Sequence, residues 1–450
     1  MISKNLIKKY NVAAPRYTSY PTVPYWEPEL WNKESWLDSV RKSYMESSAD
    51  GISIYIHLPF CENLCTYCGC TTRITKNHKV EEPYILAVIK EWQMYCDVLG
   101  CKPRIREMHL GGGTPTFFSP ENLEKLIKGI FEYAEVVEGS DFSFEAHPAN
   151  TTTAHLQMLY NYGFRRVSIG VQTFDPAVQE IINRKQTIEQ VEHVTSQARA
   201  IGYTSVNFDL IYGLPLQNLA SVEDTFNKVI RFMPDRIAYY SYAHVPWIKP
   251  GQRRFTEKDL PEDEEKRALY ERGRELVQQA GYYDVGMDHF ALKSDSLYIA
   301  SQTNRLHRNF MGYTHQYTKL SIGLGISSIS DSWYAFAQNV KLVETYLKNI
   351  AEGSFPLVKG HILTEEDLVV RRYILDIMCK GVTPFNSRQP LFDEIMSRLI
   401  PLKEDGLIQF EEDQLVVTEK GRSFLRNICM CFDQRLWRNK PESQIFSMAV

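Results

Sequence analysis

No apolar run in this 450-residue chain reaches the ~20 residues that a membrane helix needs. The opening stretch, Met1 to Tyr10, has no apolar core long enough for a signal peptide. A membrane protein or an exported one is therefore not expected, and the chain reads as cytoplasmic. Excess charge of either sign is also missing. A formal charge of -4 gives no electrostatic reason for nucleic acid or an anionic membrane to be the main partner. No internal repeat or low-complexity stretch is present, and hydrophobic residues at 44% with charged residues at 24% exclude a mostly disordered chain. A disulfide framework is missing too. Nine cysteines, an odd number with four of them inside residues 61–70, point to metal binding instead.

The metal-binding stretch is Cys61-Glu62-Asn63-Leu64-Cys65-Thr66-Tyr67-Cys68-Gly69-Cys70, a C-x3-C-x2-C loop with a fourth cysteine two residues on. It follows Ile52, Ile54 and Ile56, whose alternation reads as a buried strand. The loop therefore lies at the C-terminal end of a strand, the edge where parallel sheets bind ligands.

Residues 51 to about 245 repeat strand then helix. Strands are expected at Ile105–Leu110, running into Gly111-Gly112-Gly113-Thr114-Pro115, at Asp141–His147, around Val167, Ile169 and Val171, around Val206, Phe208 and Leu210, and at Ile237–Tyr242. Between them, Glu82–Leu99 is helical, Ser119-Pro120 caps a second helix, residues 153–162 form a third, Thr187-x-x-Gln190 opens a fourth that stops at Gly202, and Ser221 opens a fifth. Six such units imply parallel strands. The alternatives are a barrel-like sheet and an open doubly wound one, and polar residues at successive strand ends favour a partial (β/α)6 TIM-like barrel.

Around this barrel, residues 1–50 read as an N-terminal arm in which no helix or strand pattern holds. The barrel with its extension occupies 51–345. The extension holds a charged helix near 262–280, two loop-like clusters at Asp288-His289-Phe290 and His307-Arg308-Asn309-Phe310, and a glycine-rich apolar stretch, Ser321–Ile329, suited to returning a strand to the site. Residues 346–450 form a mostly helical, winged-helix-like domain: helices Glu365–Met378 and Leu391–Leu399, a hairpin at Glu411-Glu412-Asp413 and a final helix from Glu419. Within 361–450, 12 Lys and Arg face 14 Asp and Glu, so packing against the barrel is expected rather than DNA binding.

Three thiolates on one loop suit zinc or an iron-sulfur cluster. Structural zinc takes four protein ligands, usually from two separated pairs, and no second C-x2-C follows here; Cys96-x4-Cys101 lies at a helix end, behind the first crossover. A cluster held by three cysteines leaves one iron open to another ligand.

The cysteine loop after the first strand and the Gly111–Pro115 turn after the second resemble the radical S-adenosylmethionine (SAM) superfamily. More narrowly, Arg16-Tyr17-Thr18-Ser19-Tyr20-Pro21-Thr22, Cys70, Gly286–Ala291, Leu306–Phe310 and Arg426–Asp433 resemble the oxygen-independent coproporphyrinogen III oxidase (dehydrogenase) family. Departures are Lys293-Ser294 and His315, both in expected loops.

The resemblance implies a [4Fe-4S] cluster on Cys61, Cys65 and Cys68 with SAM on the fourth iron. One electron cleaves SAM to methionine and a 5'-deoxyadenosyl radical, which abstracts a hydrogen atom from the β-carbon of a propionate and leaves as 5'-deoxyadenosine. Loss of carbon dioxide and an electron leaves a vinyl group. Two propionates of coproporphyrinogen III react, giving protoporphyrinogen IX in haem biosynthesis without oxygen. The same resemblance places a first SAM on Tyr55, Gly112, Glu145 and Ile329, and a second on Gly113, Thr114, Gln172, Arg184, Asp209 and Ala243. It puts Tyr67 beside the cluster and makes Cys70 needed without being a ligand; Cys70 and Tyr55 are the catalytic candidates. Arg16, Arg166 and Arg308 are candidates for the substrate's carboxylates, and His289 and His307 for further contacts. An electron donor and an electron acceptor are required, and the chain is expected to act as a monomer. Alternative expectations are a haem chaperone on a related scaffold and a radical SAM methyltransferase acting on haem.

Overall fold

The computed structural model describes residues 4–247 and 249–449, so Met1–Ser3 of the opening stretch lie outside the described residues. Six parallel strands carry the molecule: β1 (Ile52–Leu58), β2 (Arg104–Gly112), β3 (Glu135–Ala146), β4 (Phe164–Gln172), β5 (Ser205–Tyr212) and β6 (Arg236–Ser241). They neighbour one another in chain order. The cause is visible in their period-2 pattern. Ile52, Ile54, Ile56 and Leu58 of β1 are fully buried beneath the crossover helices, whereas Tyr55 and His57 point to the other face, where Glu145, Ser168 and Asp209 from later strands also lie. Helices Glu81–Leu99, Pro120–Glu132, Thr153–Asn161, Ile188–Ile201, Leu219–Phe232 and Asp263–Gln279 follow the six strands in turn.

The sheet remains open. Ser321–Leu324 adds parallel to β1, as expected of the glycine-rich stretch, and three antiparallel strands ending at Leu357–Ile362 extend that edge. At the other edge His289–Ala291 pairs antiparallel with β6 and then with Tyr283–Gly286. The fold is thus a partial barrel on a 12-stranded sheet.

Several local expectations change. The arm contains two helices, Lys4–Tyr10 and Lys33–Ser47. The second was hidden because its buried face is built from Trp36, Ser39, Val40, Ser43 and Ser47, where serines stand in for the apolar residues that periodicity detects. Ser43 donates to the Ser332 carbonyl, and Ser39 and Ser332 hydroxyls are 2.8 Å apart. The two clusters read as loops hold short strands, His289–Ala291 and His307–Asn309, too brief to show alternation. Asn218, not Ser221, caps its helix; the Ser221 hydroxyl lies 3.0 Å from the Asn218 N–H as the return half of a capping box. The helix expected from Glu419 begins at Leu425, after a 3-10 turn over Lys420–Phe424, and a short helix, Gln434–Arg438, follows it.

In the C-terminal region, helices Glu365–Lys380, Phe392–Glu404 and Leu425–Phe432 surround a three-stranded antiparallel sheet. Its apolar core includes Leu6, Tyr10, Tyr17 and Tyr20 of the arm. Both chain ends therefore share one core. No helix among the described residues is long and apolar enough to cross a membrane.

Candidate active site

At the C-terminal ends of the strands lies a cavity of ≈ 780 Å³, within the roughly 300–1,000 Å³ typical of ligand pockets. The cysteine loop forms one wall. Strand ends and the turns after them form the others: Gly112, Gly113 and Thr114 after β2, Glu145 from β3, Gln172 from β4, Asp209 from β5 and Ala243 after β6, with Arg184 reaching in between. Cys61, Cys65, Cys68, Cys70 and Tyr67 face the same space. Of the residues expected in the site, Tyr55 and Ile329 do not line it. The Tyr55 ring lies under Gly111 and stacks on His109, with centroids 6.1 Å apart. Ile329 packs on the Trp26, Phe336 and Leu363 cluster.

Each wall residue has a local reason for its position. Gly112 adopts a φ of +109°, and a Cβ there would lie 2.6 Å from the His57 ring, so only glycine lets the turn close over that histidine. The Gly112 N–H donates to Glu145 across 3.1 Å, and His109 Nε2 lies 3.6 Å from the other carboxylate oxygen. Burial pushes the Glu145 carboxyl up, but the neighbouring His109 and the Gly112 N–H outweigh it and hold the group below its ordinary value. Glu145 is thus an anion poised at the cavity wall.

Asp209 behaves differently. Burial raises it to about 6 even though Ser168 Oγ donates over 2.6 Å and Asn207 Nδ2 over 2.9 Å. Gln172 sits at a φ of +64°, an uncommon conformation for a non-glycine residue and one that clusters at functional sites.

The sequence did not single out His57, His109, Lys249 or Gln252. His57 Nε2 lies 2.8 Å from the Thr71 carbonyl, which can only accept, so that nitrogen carries the proton and the Tyr55 hydroxyl donates to Nδ1 across 3.0 Å. Lys249 donates to the Cys70 carbonyl over 3.1 Å, and Gln252 to the Tyr67 carbonyl over 3.3 Å; together they brace the cysteine loop from a segment 180 residues away in sequence, to within a few positions. The histidines had a signal, since each occupies the polar phase of its strand's alternation, on the face shared with Tyr55. Lys249 and Gln252 had none.

The candidate substrate arginines separate. Arg166 is held by Asp141 through contacts of 2.7, 3.0 and 2.6 Å. Arg16 pairs with Asp288, with its guanidinium 5.9 Å from the Tyr240 ring, a tyrosine of the cavity wall. Arg308 donates to the Arg16 carbonyl and lies 4.5 Å from the Tyr313 ring. His289 is engaged by the Met287 carbonyl at 2.7 Å and the Tyr240 hydroxyl at 3.4 Å, and His307 meets the Tyr317 ring edge-on.

The donor set fits an iron-sulfur cluster better than a closed zinc site. Among the described residues no group of three or more His, Cys, Asp or Glu is gathered for a single metal ion. The thiols, Cys70 among them, are carried instead on one loop along an open cavity rather than closed around a point. Cys70 follows Cys68 by two residues, and their mutual influence holds Cys68 below its ordinary value and pushes Cys70 up.

A strand-end cysteine loop, a glycine turn after the next strand and an open parallel barrel define the class, and residues 55–229 match the Radical SAM superfamily model. The chain is 36% identical to the oxygen-independent coproporphyrinogen III oxidase of Escherichia coli strain K12, covering 99% of this chain and 98% of that one. It is 35% identical to the protein of the same name from Synechocystis, covering 100% and 98%. The solved structure described as coproporphyrinogen III oxidase (HemN) from Escherichia coli, a radical SAM enzyme, superposes with a TM-score of 0.89 at 33% identity, over 96% of this chain and 99% of that chain. The chain belongs to the oxygen-independent coproporphyrinogen III oxidase family, and membership carries a [4Fe-4S] cluster and SAM.

Proposed function

We propose that this chain converts two propionate side chains of coproporphyrinogen III to vinyl groups without oxygen, giving protoporphyrinogen IX. The observation that carries the reading is the convergence on one cavity of Cys61, Cys65 and Cys68 with Gly112, Thr114, Glu145 and Asp209. The cluster and SAM, when bound, supply a 5'-deoxyadenosyl radical able to take a hydrogen atom from the propionate β-carbon. The chain's own residues do the rest. Cys61, Cys65 and Cys68 hold the cluster. The ionised Glu145 and the turn at Gly112 orient the SAM nearest it, with Tyr55 and Ile329 acting from behind the wall.

A second SAM is assigned to Gly113, Thr114, Gln172, Arg184, Asp209 and Ala243, supported by their joint presence in the cavity wall. Propionate recognition is assigned to Arg16, supported by its place against Tyr240 of the cavity wall; its single-nitrogen pairing with Asp288 leaves more of the guanidinium open than the three contacts that hold Arg166 to Asp141. The reading includes an electron donor, an electron acceptor and a monomeric, cytoplasmic chain that needs neither nucleic acid nor a membrane. It also divides the chain into an arm (1–50), a barrel with extension (51–345) and a C-terminal domain (346–450).

The test is anaerobic. The protein is reconstituted with iron and sulfide and given coproporphyrinogen III, SAM and a reductant. Protoporphyrinogen IX and 5'-deoxyadenosine are expected together. Haem binding with neither product would overturn the assignment.

A further inference from the structure

Two of the three ligand thiols on the cysteine loop have hydrogen-bond partners from elsewhere in the chain, and one of these is a charge. Thr114 Oγ1 lies 3.3 Å from Cys61 Sγ. Arg184 Nη1 donates to Cys65 Sγ over 3.7 Å and to the Tyr67 hydroxyl over 3.3 Å. The remaining edges of the guanidinium are fixed from behind: Nε donates to Gln186 Oε1 over 3.0 Å and Nη2 to the Gly170 carbonyl. Gln186 is itself tied to the Val171 carbonyl. Gly170 admits the group, because a Cβ there would lie 2.9 Å from Nη2. Arg184 is buried, and the groups that act on it most strongly are the Tyr67 hydroxyl and the Cys65 and Cys68 thiols, with His147 also within its field.

A fixed cation and an N–H···S bond beside a ligand thiolate favour the more negative, reduced state of an iron-sulfur cluster. We propose that Arg184, besides lining the cavity, raises the reduction potential of the cluster held by the loop, and so sets how easily a low-potential one-electron reductant charges it. One electron enters the cluster, the reductant loses it, and no bond or proton moves. Arg184 acts here through Cys65 as a positioning residue, and the inference rests on the reading that Cys61, Cys65 and Cys68 hold a cluster.

The experiment is an electron paramagnetic resonance redox titration of the full-length, reconstituted protein without SAM, comparing wild type with Arg184→Met, Arg184→Lys and Thr114→Val. Arg184→Met is expected to cut the reduced-to-oxidised ratio at a fixed applied potential at least tenfold, about 59 mV for a one-electron couple. Arg184→Lys, which keeps the charge but loses the fork, is expected between it and wild type, and Thr114→Val, which loses only a neutral donor, is expected to move less than Arg184→Met. If Arg184→Met assembles no cluster, Arg184→Gln takes its place with the same expectation. A wild-type midpoint in the neutral variant, at wild-type iron content, overturns the proposal. The functional reading fails separately, if the wild-type cluster assembles and coproporphyrinogen III is not converted; a wild-type chain that assembles no cluster sinks both.

Discussion

Cys65 and Asp209 face the same cavity and are expected to fail in different ways when removed. Cys65→Ala deletes one of three thiolates, so the brown absorbance and the iron content of the reconstituted protein are expected to disappear; their persistence would show that the thiolate set is misassigned. Asp209 touches no cysteine. It is a half-buried carboxyl of the cavity wall raised to about 6, held by Ser168 and Asn207. Asp209→Ala should leave absorbance and iron at wild-type levels and reduce turnover by at least a hundredfold, about 2.7 kcal/mol of lost transition-state stabilisation. Activity near wild type would remove Asp209 from the machinery. At this scale the sequence was informative where residue type and strand-end position coincide, as at Cys61, Glu145 and Asp209. It was silent at Lys249 and Gln252, whose role is to hold backbone carbonyls of the cysteine loop, a contact that any polar residue on any loop could make.

Among the elements, the helix Glu81–Leu99 does more than cover β1. Its Tyr84 hydroxyl donates to the His57 carbonyl at the end of β1 over 2.8 Å and accepts from the Ile326 N–H over 3.0 Å. Its Glu91 accepts from the Gly325 N–H at 2.8 Å, the Tyr346 hydroxyl at 2.7 Å and Asn339 Nδ2 at 2.7 Å. The helix therefore staples the strand that precedes the cysteine loop to the strand that returns beside it. Burial raises Glu91 from its ordinary 4.5 to about 7 against those three donors. A carboxyl raised on folding binds its proton more tightly in the folded chain, so its contribution is complete below pH 4.5 and is lost as the pH rises through about 7. The loss amounts to about 3 kcal/mol. Denaturant unfolding of wild type and Glu91→Gln at pH 5 and pH 8 checks this. The stability of wild type relative to the variant should fall over that interval, and a pH-independent difference would contradict it. Element existence was readable in the barrel, where apolar alternation and capping residues agree. It was not readable at Lys33–Ser47, because a helix that buries serines against Ser332 carries no amphipathic signal.

For the whole molecule, the arm and the tail are one unit. Arg426 is buried and donates to the carbonyls of Pro15 at 3.1 Å, Met448 at 2.6 Å and Ser447 at 2.8 Å, and also to that of Ala14. Asn427 donates to the Tyr10 carbonyl over 2.9 Å, and Tyr17 to Asp433 over 3.1 Å. The Arg426–Asp433 stretch thereby holds the arm that carries Arg16 to Tyr240 of the cavity wall. Arg426→Ala would strand several buried carbonyls at once and is expected to destabilise this unit by about 3 kcal/mol. Limited proteolysis should then cut within residues 1–50 faster than in wild type, with the cluster unaffected; equal cleavage rates would show that the clamp is not what holds the arm.

The sequence by itself determined the strand-helix order, the cysteine loop and the edge of the sheet on which chemistry occurs, because hydrophobic period and ligand spacing are local properties of a chain. Only the tertiary structure decided that the barrel stays open, that Arg184 faces Cys65, and that the two chain ends share a core. Those outcomes depend on side chains far apart in sequence meeting in a buried space, where each carbonyl, carboxylate and guanidinium must find a partner or carry the cost of going without. No local pattern records which partner that will be.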